Sequence, residues 1–111
     1  MSLLKWLNLK KPSRYIVRQL PDIPEQIEEK TIYLIGDTGK EWLILFKCPC
    51  GCDDKIFLNT IHDVHPYWKL YASKKGWPSI YPSIWRVVNC KSHFCLKKGR
   101  IIWVNPSWQF F

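Results

Sequence analysis

The chain has 111 residues, of which 47% are hydrophobic and 15% aromatic, and its 17 Lys and Arg outnumber 9 Asp and Glu. This composition indicates a globular protein, and the length allows one domain but not comfortably two. No apolar run approaches the roughly 20 residues that span a bilayer, and Lys5 interrupts the apolar start, so we expect neither a membrane protein nor a secretory signal.

The compartment and the charge narrow the classes of partner. Without a secretory signal we expect a cytoplasmic protein, in which the five Cys stay reduced and favour metal binding or catalysis over disulfides. The net charge of +8 favours an anionic partner, either nucleic acid or an acidic protein face. Because the Lys residues are scattered in short pairs rather than gathered in one block, nucleic acid is the less favoured partner.

Short apolar runs separated by turn residues predict a mostly β domain, with a small α+β arrangement as the alternative. We expect residues 1–13 to be a lead-in segment and residues 14–111 to be a single, compact antiparallel β domain held together by zinc. Pro78 and Pro82 predict an ordered but irregular loop. The predicted strands, in chain order, are residues 14–20, 31–35, 41–47, 55–59, 67–71, 84–88 and 100–104. The second and third of these runs surround Gly36-Asp37-Thr38-Gly39 and predict a β-hairpin.

Three cysteines lie at alternate positions, Cys48, Cys50 and Cys52, separated by Pro49 and Gly51. Pro and Gly bend the chain into a tight knuckle, in which the thiolates point inward and backbone amides hydrogen-bond to sulfur. Three cysteines within five residues argue against the simpler interpretation that they are small buried hydrophobic residues. This pattern predicts a zinc site.

Zinc prefers about four ligands in a tetrahedron, so the knuckle supplies only part of the set. The segment from Cys90 to Cys95 contains the remaining candidates, with Cys90 as the preferred fourth ligand and His93 and Cys95 as alternatives. His62 and His65 form a second candidate metal pair, but they have no third ligand nearby in sequence, and we interpret them as exposed loop residues.

Four motifs in a fixed order carry a family resemblance. They are the cysteine knuckle at residues 48–52, Pro82-Ser83, Cys90-Lys91-Ser92-His93-Phe94, and a Gly-x-x-x-Trp ending at residues 99–103. Over roughly residues 14 to 104 the chain resembles a bacterial zinc-binding family of unknown function (domain of unknown function 6527). Some members are encoded beside ubiquitin-like, E1-like and E2-like proteins in phage-defence operons.

The resemblance implies a peptidase that trims a ubiquitin-like protein or removes it from its conjugates, with the E1-like and E2-like proteins as further partners. In the preferred scheme Ser83 is the nucleophile, His93 is the general base and the zinc is structural. Ser92 is a second candidate nucleophile. The group that orients His93 stays open among Asp53, Asp54 and Asp63.

Two other interpretations remain. In one, the zinc is catalytic with a bound water and an acidic base such as Asp53, although an all-thiolate site makes the metal a poor Lewis acid. In the other, the protein is a non-catalytic zinc-binding adaptor for a protein or nucleic acid, and Ser83 and His93 are ordinary structural residues. The adaptor is favoured if His93 is itself a zinc ligand, because the serine then lacks its base.

Overall fold

The structure is a computed structural model and describes residues 14–86 and 89–104. Within these residues, two four-stranded sheets form, and in each the strands are neighbours in the order in which they occur along the chain. The first sheet comprises β1 (Ile16–Leu20), β2 (Thr31–Asp37), β3 (Lys40–Lys47) and β4 (Lys55–Asn59). The second comprises β5 (Lys69–Ala72), β6 (Pro78–Trp85), β7 (His93–Lys97) and β8 (Arg100–Trp103). The predicted β fold is confirmed, whereas the lead-in of residues 1–13 and residues 105–111 lie outside the described residues.

The first sheet contains the predicted hairpin and one departure from the prediction. Strands β2 and β3 pair antiparallel on either side of the turn that follows Asp37. Strand β1, however, pairs parallel with β2, so the sheet is not wholly antiparallel as expected. Parallel neighbours need a crossover connection, and residues 21–30 supply it. Ile27 of this connection is buried against Tyr33 and Leu45, so the crossover covers the outer face of the first sheet.

The second sheet corrects the predicted loop at Pro78 and Pro82. Both prolines lie in β6, the first as its opening residue and the second within an irregularity of the strand. These are the positions at which a sheet tolerates a residue without an N–H. The sequence-based prediction also missed β7, although buried Phe94 and Leu96 alternate there with half-buried His93 and Cys95. Residues 87 and 88, at the end of the predicted strand 84–88, lie outside the described residues.

The main core lies between the two sheets. Buried aliphatic and aromatic side chains of both sheets form one cluster, in which the rings of Phe46 and Phe94 meet edge to face at 6.3 Å. Cys48 is buried at the margin of this cluster, and half-buried Cys90 packs against it. The core therefore fixes the cysteine knuckle of the first sheet against the second sheet. Among the described residues, no helix is long and apolar enough to cross a membrane.

Candidate active site and metal centre

The irregularity in β6 determines where Ser83 lies. Ile80 pairs with Leu96 and Ile84 pairs with Phe94, so the three residues from Tyr81 to Ser83 lie opposite Cys95 alone. Bulges of this kind redirect side chains and are common beside active sites. The indole N–H of Trp68 donates a hydrogen bond of 3.3 Å to the Ser83 carbonyl and supports the bulge from the core side.

The bulge brings the Ser83 hydroxyl to His93 on the neighbouring strand. Ser83 Oγ and His93 Nε2 are 3.0 Å apart, and both side chains are half-buried. A serine in hydrogen-bond contact with an imidazole nitrogen has the geometry needed for proton transfer from the hydroxyl to the ring. The structure therefore brings together the two side chains that the sequence predicted as nucleophile and base.

Trp85 fixes the plane of the His93 ring. The two residues face each other across β6 and β7, and their rings stack at 5.2 Å with an angle of 13° between their planes. An aromatic face is attractive to the imidazolium that forms when the ring accepts a proton. Trp85 was not among the predicted site residues, although alternation along a strand places it on the same face as Ser83.

An open groove of about 660 Å³ begins beside Ser83. Its apolar walls include Tyr81, Pro82 and Leu96, and Lys97 and Lys98 also line it. Tyr81 is 63% exposed and stands at the rim. The groove has the dimensions of a site for several residues of an extended polypeptide, next to the candidate nucleophile.

The second cluster contains the four cysteines predicted as metal ligands. Their sulfur atoms all lie within 4.8 Å of one another. The sulfur of Cys48 is 3.4 Å from that of Cys50 and 3.6 Å from that of Cys90. A tetrahedral ion with metal–sulfur bonds of about 2.3 Å holds its sulfur atoms about 3.8 Å apart, so the four thiols are close to the separations that such an ion requires.

The backbone of the knuckle and its neighbours prepare the thiols for a cation. Gly51 adopts a positive φ of 90°, and the amide of Cys52 donates to the sulfur of Cys50 at 3.3 Å. The hydroxyl of Ser92, 3.1 Å from the sulfur of Cys90, lowers the pKa of that thiol to about 6, whereas burial raises the pKa of the Cys48 thiol. The thiol of Cys90 is thus favoured to ionise, as a metal ligand must.

Arg86 is the cation beside this cluster. Its guanidinium lies 3.7 Å from the sulfur of Cys52 and 3.8 Å from that of Cys90, and it pairs with Asp54 at 3.4 Å. Hydrogen bonding to the thiolate of Cys48 raises the pKa of Arg86. The arginine partly offsets the negative charge that four thiolates bring to a metal ion, and it ties the end of β6 to the knuckle.

The family described as bacterial ubiquitination-like system serine protease (BubE) matches residues 19–104, which is most of the chain and includes both clusters. The chain belongs to the BubE family. No curated protein and no solved structure matches it.

In this BubE-family chain, the alternative candidates make contacts other than those predicted for a nucleophile or a metal ligand. Ser92 turns its hydroxyl to Cys90, and Cys95 lines the groove rather than the metal cluster. His62 and His65 are exposed in the loop before β5, as predicted.

The three carboxylates considered for orienting His93 each have another partner in the structure. Asp53 pairs with Lys47 at 3.8 Å, Asp54 with Arg86 at 3.4 Å, and an oxygen of Asp63 lies 3.2 Å from the His62 ring. The stack on Trp85 is one contact that we assign to positioning the imidazole of His93.

Proposed function

We propose that this protein is a serine peptidase that processes a bacterial ubiquitin-like protein, or removes it from its conjugates, with a structural zinc ion. The observation that carries the proposal is the contact of 3.0 Å between Ser83 Oγ and His93 Nε2. The family description supports the reaction class and the ubiquitination-like setting. We further infer that the matched family is the zinc-binding family that the sequence resembles, since both span nearly the same residues.

In the proposed reaction, Ser83 Oγ attacks the carbonyl carbon of the scissile bond while His93 Nε2 accepts the hydroxyl proton. The imidazolium, stabilised by the face of Trp85, then returns the proton to the leaving nitrogen as the C–N bond breaks. The acyl group stays on Ser83 as an ester. A water molecule, deprotonated by the same nitrogen, hydrolyses the ester and restores the hydroxyl.

We assign zinc to the four cysteines because a tetrahedral set of four thiolates is typical of structural zinc. When bound, the ion links the knuckle to Cys90, three residues before His93 in the sequence. Four protein ligands leave no position for a metal-bound water, so this ligand set favours a structural role over the catalytic one. We expect a cytoplasmic setting, where the thiols stay reduced. The ubiquitin-like protein, its conjugates and the E1-like and E2-like proteins of the same operon are the proposed partners.

The test is cleavage of the neighbouring ubiquitin-like protein fused to a C-terminal extension. We expect Ser83→Ala to lower the cleavage rate by at least about 10³-fold, because it removes the nucleophile. Ser73→Ala, in the turn between β5 and β6, is the matched control and keeps the wild-type rate. Ser92→Ala distinguishes the second candidate nucleophile and reduces the rate only slightly. Zinc content and circular dichroism of each variant report whether the fold is intact.

Two outcomes would contradict the proposal. Cleavage that survives Ser83→Ala but disappears in a chelator would indicate that the metal, rather than Ser83, carries out the reaction. No cleavage by the wild-type protein, with its zinc and fold intact, would favour the adaptor interpretation, in which the basic surface and exposed aromatic residues serve binding alone.

A further inference from the structure

The net positive charge of this protein comes entirely from the second part of the chain. Residues 1–63 contain nine Lys and Arg and nine Asp and Glu, whereas residues 64–111 contain eight Lys and Arg and no acidic residue. The described strands of the second part form the sheet that contains Ser83 and His93. The net charge of +8 is therefore a property of the sheet with the candidate active site rather than of the surface in general.

Part of this charge lies in the groove beside Ser83. Lys97 and Lys98 line the groove and are exposed, and within the described residues no carboxylate pairs with either. Lys69, also exposed, stands directly opposite Tyr81 in the pairing of β5 with β6. Lys69 lies next to this groove rather than in its wall. Most of the wall beside Lys97 and Lys98 is apolar, so the groove combines a surface for side-chain packing with partners for an anion.

The register of β7 gives the distance between the anion site and the reaction. His93, Cys95 and Lys97 are at alternate positions of β7 and share one face of the sheet. Because Ser83 lies opposite Cys95, Lys97 lies about 7 Å along β7 from the level of Ser83 and about 13 Å from His93, at about 3.3 Å per residue. An extended polypeptide lying beside β7 covers these distances with about two to four residues.

We infer that the groove binds an extended segment of the substrate that bears a carboxylate two to four residues from the scissile bond, with Lys97 and Lys98 as its partners. This inference rests on the proposed function and adds its substrate class. An acidic side chain and a free C-terminal carboxylate offer the same chemistry to the two lysines, and the experiment distinguishes them.

The experiment uses the full chain and the extended ubiquitin-like protein. There are two substrate series, one for each side of the scissile bond. In each series a single Glu is placed at successive positions, with Gln at the other positions. A third pair of substrates ends four residues beyond the bond in either a free carboxylate or an amide. We expect a preference of about fivefold for Glu at one position between the second and the fourth of one series, or for the free carboxylate, since exposed ion pairs are individually modest.

The preference must depend on the two lysines. The Lys97→Ala/Lys98→Ala double variant should abolish it, and added salt should reduce it. The Lys74→Ala/Lys75→Ala double variant, in the exposed turn before β6, removes the same charge outside the groove and should leave the preference intact. Ser83-dependent cleavage that is indifferent to every carboxylate, or equally affected by both double variants, would overturn the inference while the proposed function stands.

If the protein cleaves none of these substrates, a binding measurement tests the carboxylate site instead. Fluorescein-labelled peptides with Glu or Gln at the same position are titrated with the Ser83→Ala protein, and anisotropy gives each Kd. Tighter binding of the Glu peptide that is lost in a Lys97→Ala/Lys98→Ala background supports the groove as a carboxylate site. Equal Kd values for the two peptides overturn it.

Discussion

The two sheets of this protein differ in how their faces are covered. The first sheet is covered on one face by the second sheet and on the other by the crossover connection, and Ile32, Ile35 and Ile44 are fully buried. The second sheet buries one face in the core and exposes the other, on which Ser83 and His93 meet. A sheet covered on both faces provides a stable support, whereas a half-exposed sheet offers a face on which binding and catalysis can take place.

The contrast between the two sheets is tested most directly at His93, because a change there should remove the activity of the second sheet and leave the first sheet intact. We expect His93→Gln to lower kcat by about 10³- to 10⁴-fold, because the amide cannot accept the Ser83 proton. His65→Gln, in the exposed loop, is the matched control and should keep kcat. Cleavage kinetics and metal content are measured together. An unchanged kcat in His93→Gln would remove this residue from the mechanism.

The link between the sheets is tested at Cys90. Replacing it with Ser removes the one thiol that the second half of the chain contributes to the cluster. We expect the bound zinc to fall well below one per chain and the free energy of unfolding to fall by about 3 kcal/mol, because metal binding is coupled to folding. Elemental analysis and urea unfolding measure the two effects.

Cys95→Ser is the control for this prediction, since Cys95 lies in β7 outside the cluster. It should retain the metal and lose less than about 1 kcal/mol. If both variants lost zinc equally, Cys90 would not be a specific ligand.

A smaller effect is expected at Arg86, which connects the second sheet to the knuckle without binding the metal itself. Arg86→Gln removes the cation beside the sulfur atoms of Cys52 and Cys90. We expect zinc affinity to fall by about tenfold, as measured by competition with a chromogenic chelator. Arg100→Gln removes an exposed charge from β8 and should leave the affinity unchanged. The same affinity in both variants would assign Arg86 no role at the cluster.

The smallest effect concerns the first sheet alone. Hydrogen bonds from the backbone amides of Glu41 and Gly39 lower the pKa of Glu41 below its ordinary value of 4.5. A depressed pKa stabilises the fold above the unfolded-state value, and this contribution is lost as the pH falls through the folded-state pKa. Glu41→Gln should therefore lower the free energy of unfolding by about 0.3 kcal/mol near pH 7.

The cost of Glu41→Gln should disappear well below pH 4.5, where the wild-type side chain is also neutral. Urea unfolding of both proteins in parallel measures the difference at each pH, and the loss of metal in acid is common to both. A difference that is constant with pH would indicate lost packing rather than lost charge.

The parts of the fold that depend on local signals were predictable from the sequence. The hairpin of β2 and β3 follows from two apolar runs and from Gly36, which has a positive φ of 125° and at which a Cβ would lie only 2.8 Å from Glu41 Cα. Strand β6 was not predictable, because Pro82 is tolerated only at a bulge. That bulge is defined by the register of β6 against β7, which local sequence does not reveal.

The residues of the candidate site also divide into those that the sequence indicated and those that it did not. The four cysteines followed from residue type and spacing, and the Ser83–His93 pair followed from a family resemblance; the structure brings each set together. Trp68 contacts Ser83, and Arg86 contacts Cys52, across long stretches of the chain, so no spacing rule indicated these contacts. The zinc ion and the catalytic roles themselves stay predictions until the experiments above are done.

Because each sheet consists of consecutive strands, the order of synthesis has a consequence for when the two proposed sites can form. The first sheet leaves the ribosome with Cys48, Cys50 and Cys52 in place and can begin to fold before the second sheet exists. The fourth thiol, Cys90, is translated after Ser83 and just before His93. The proposed metal centre and the proposed nucleophile–base pair are therefore completed together, and we expect nascent chains to be inactive as peptidases until strand β7 has been made.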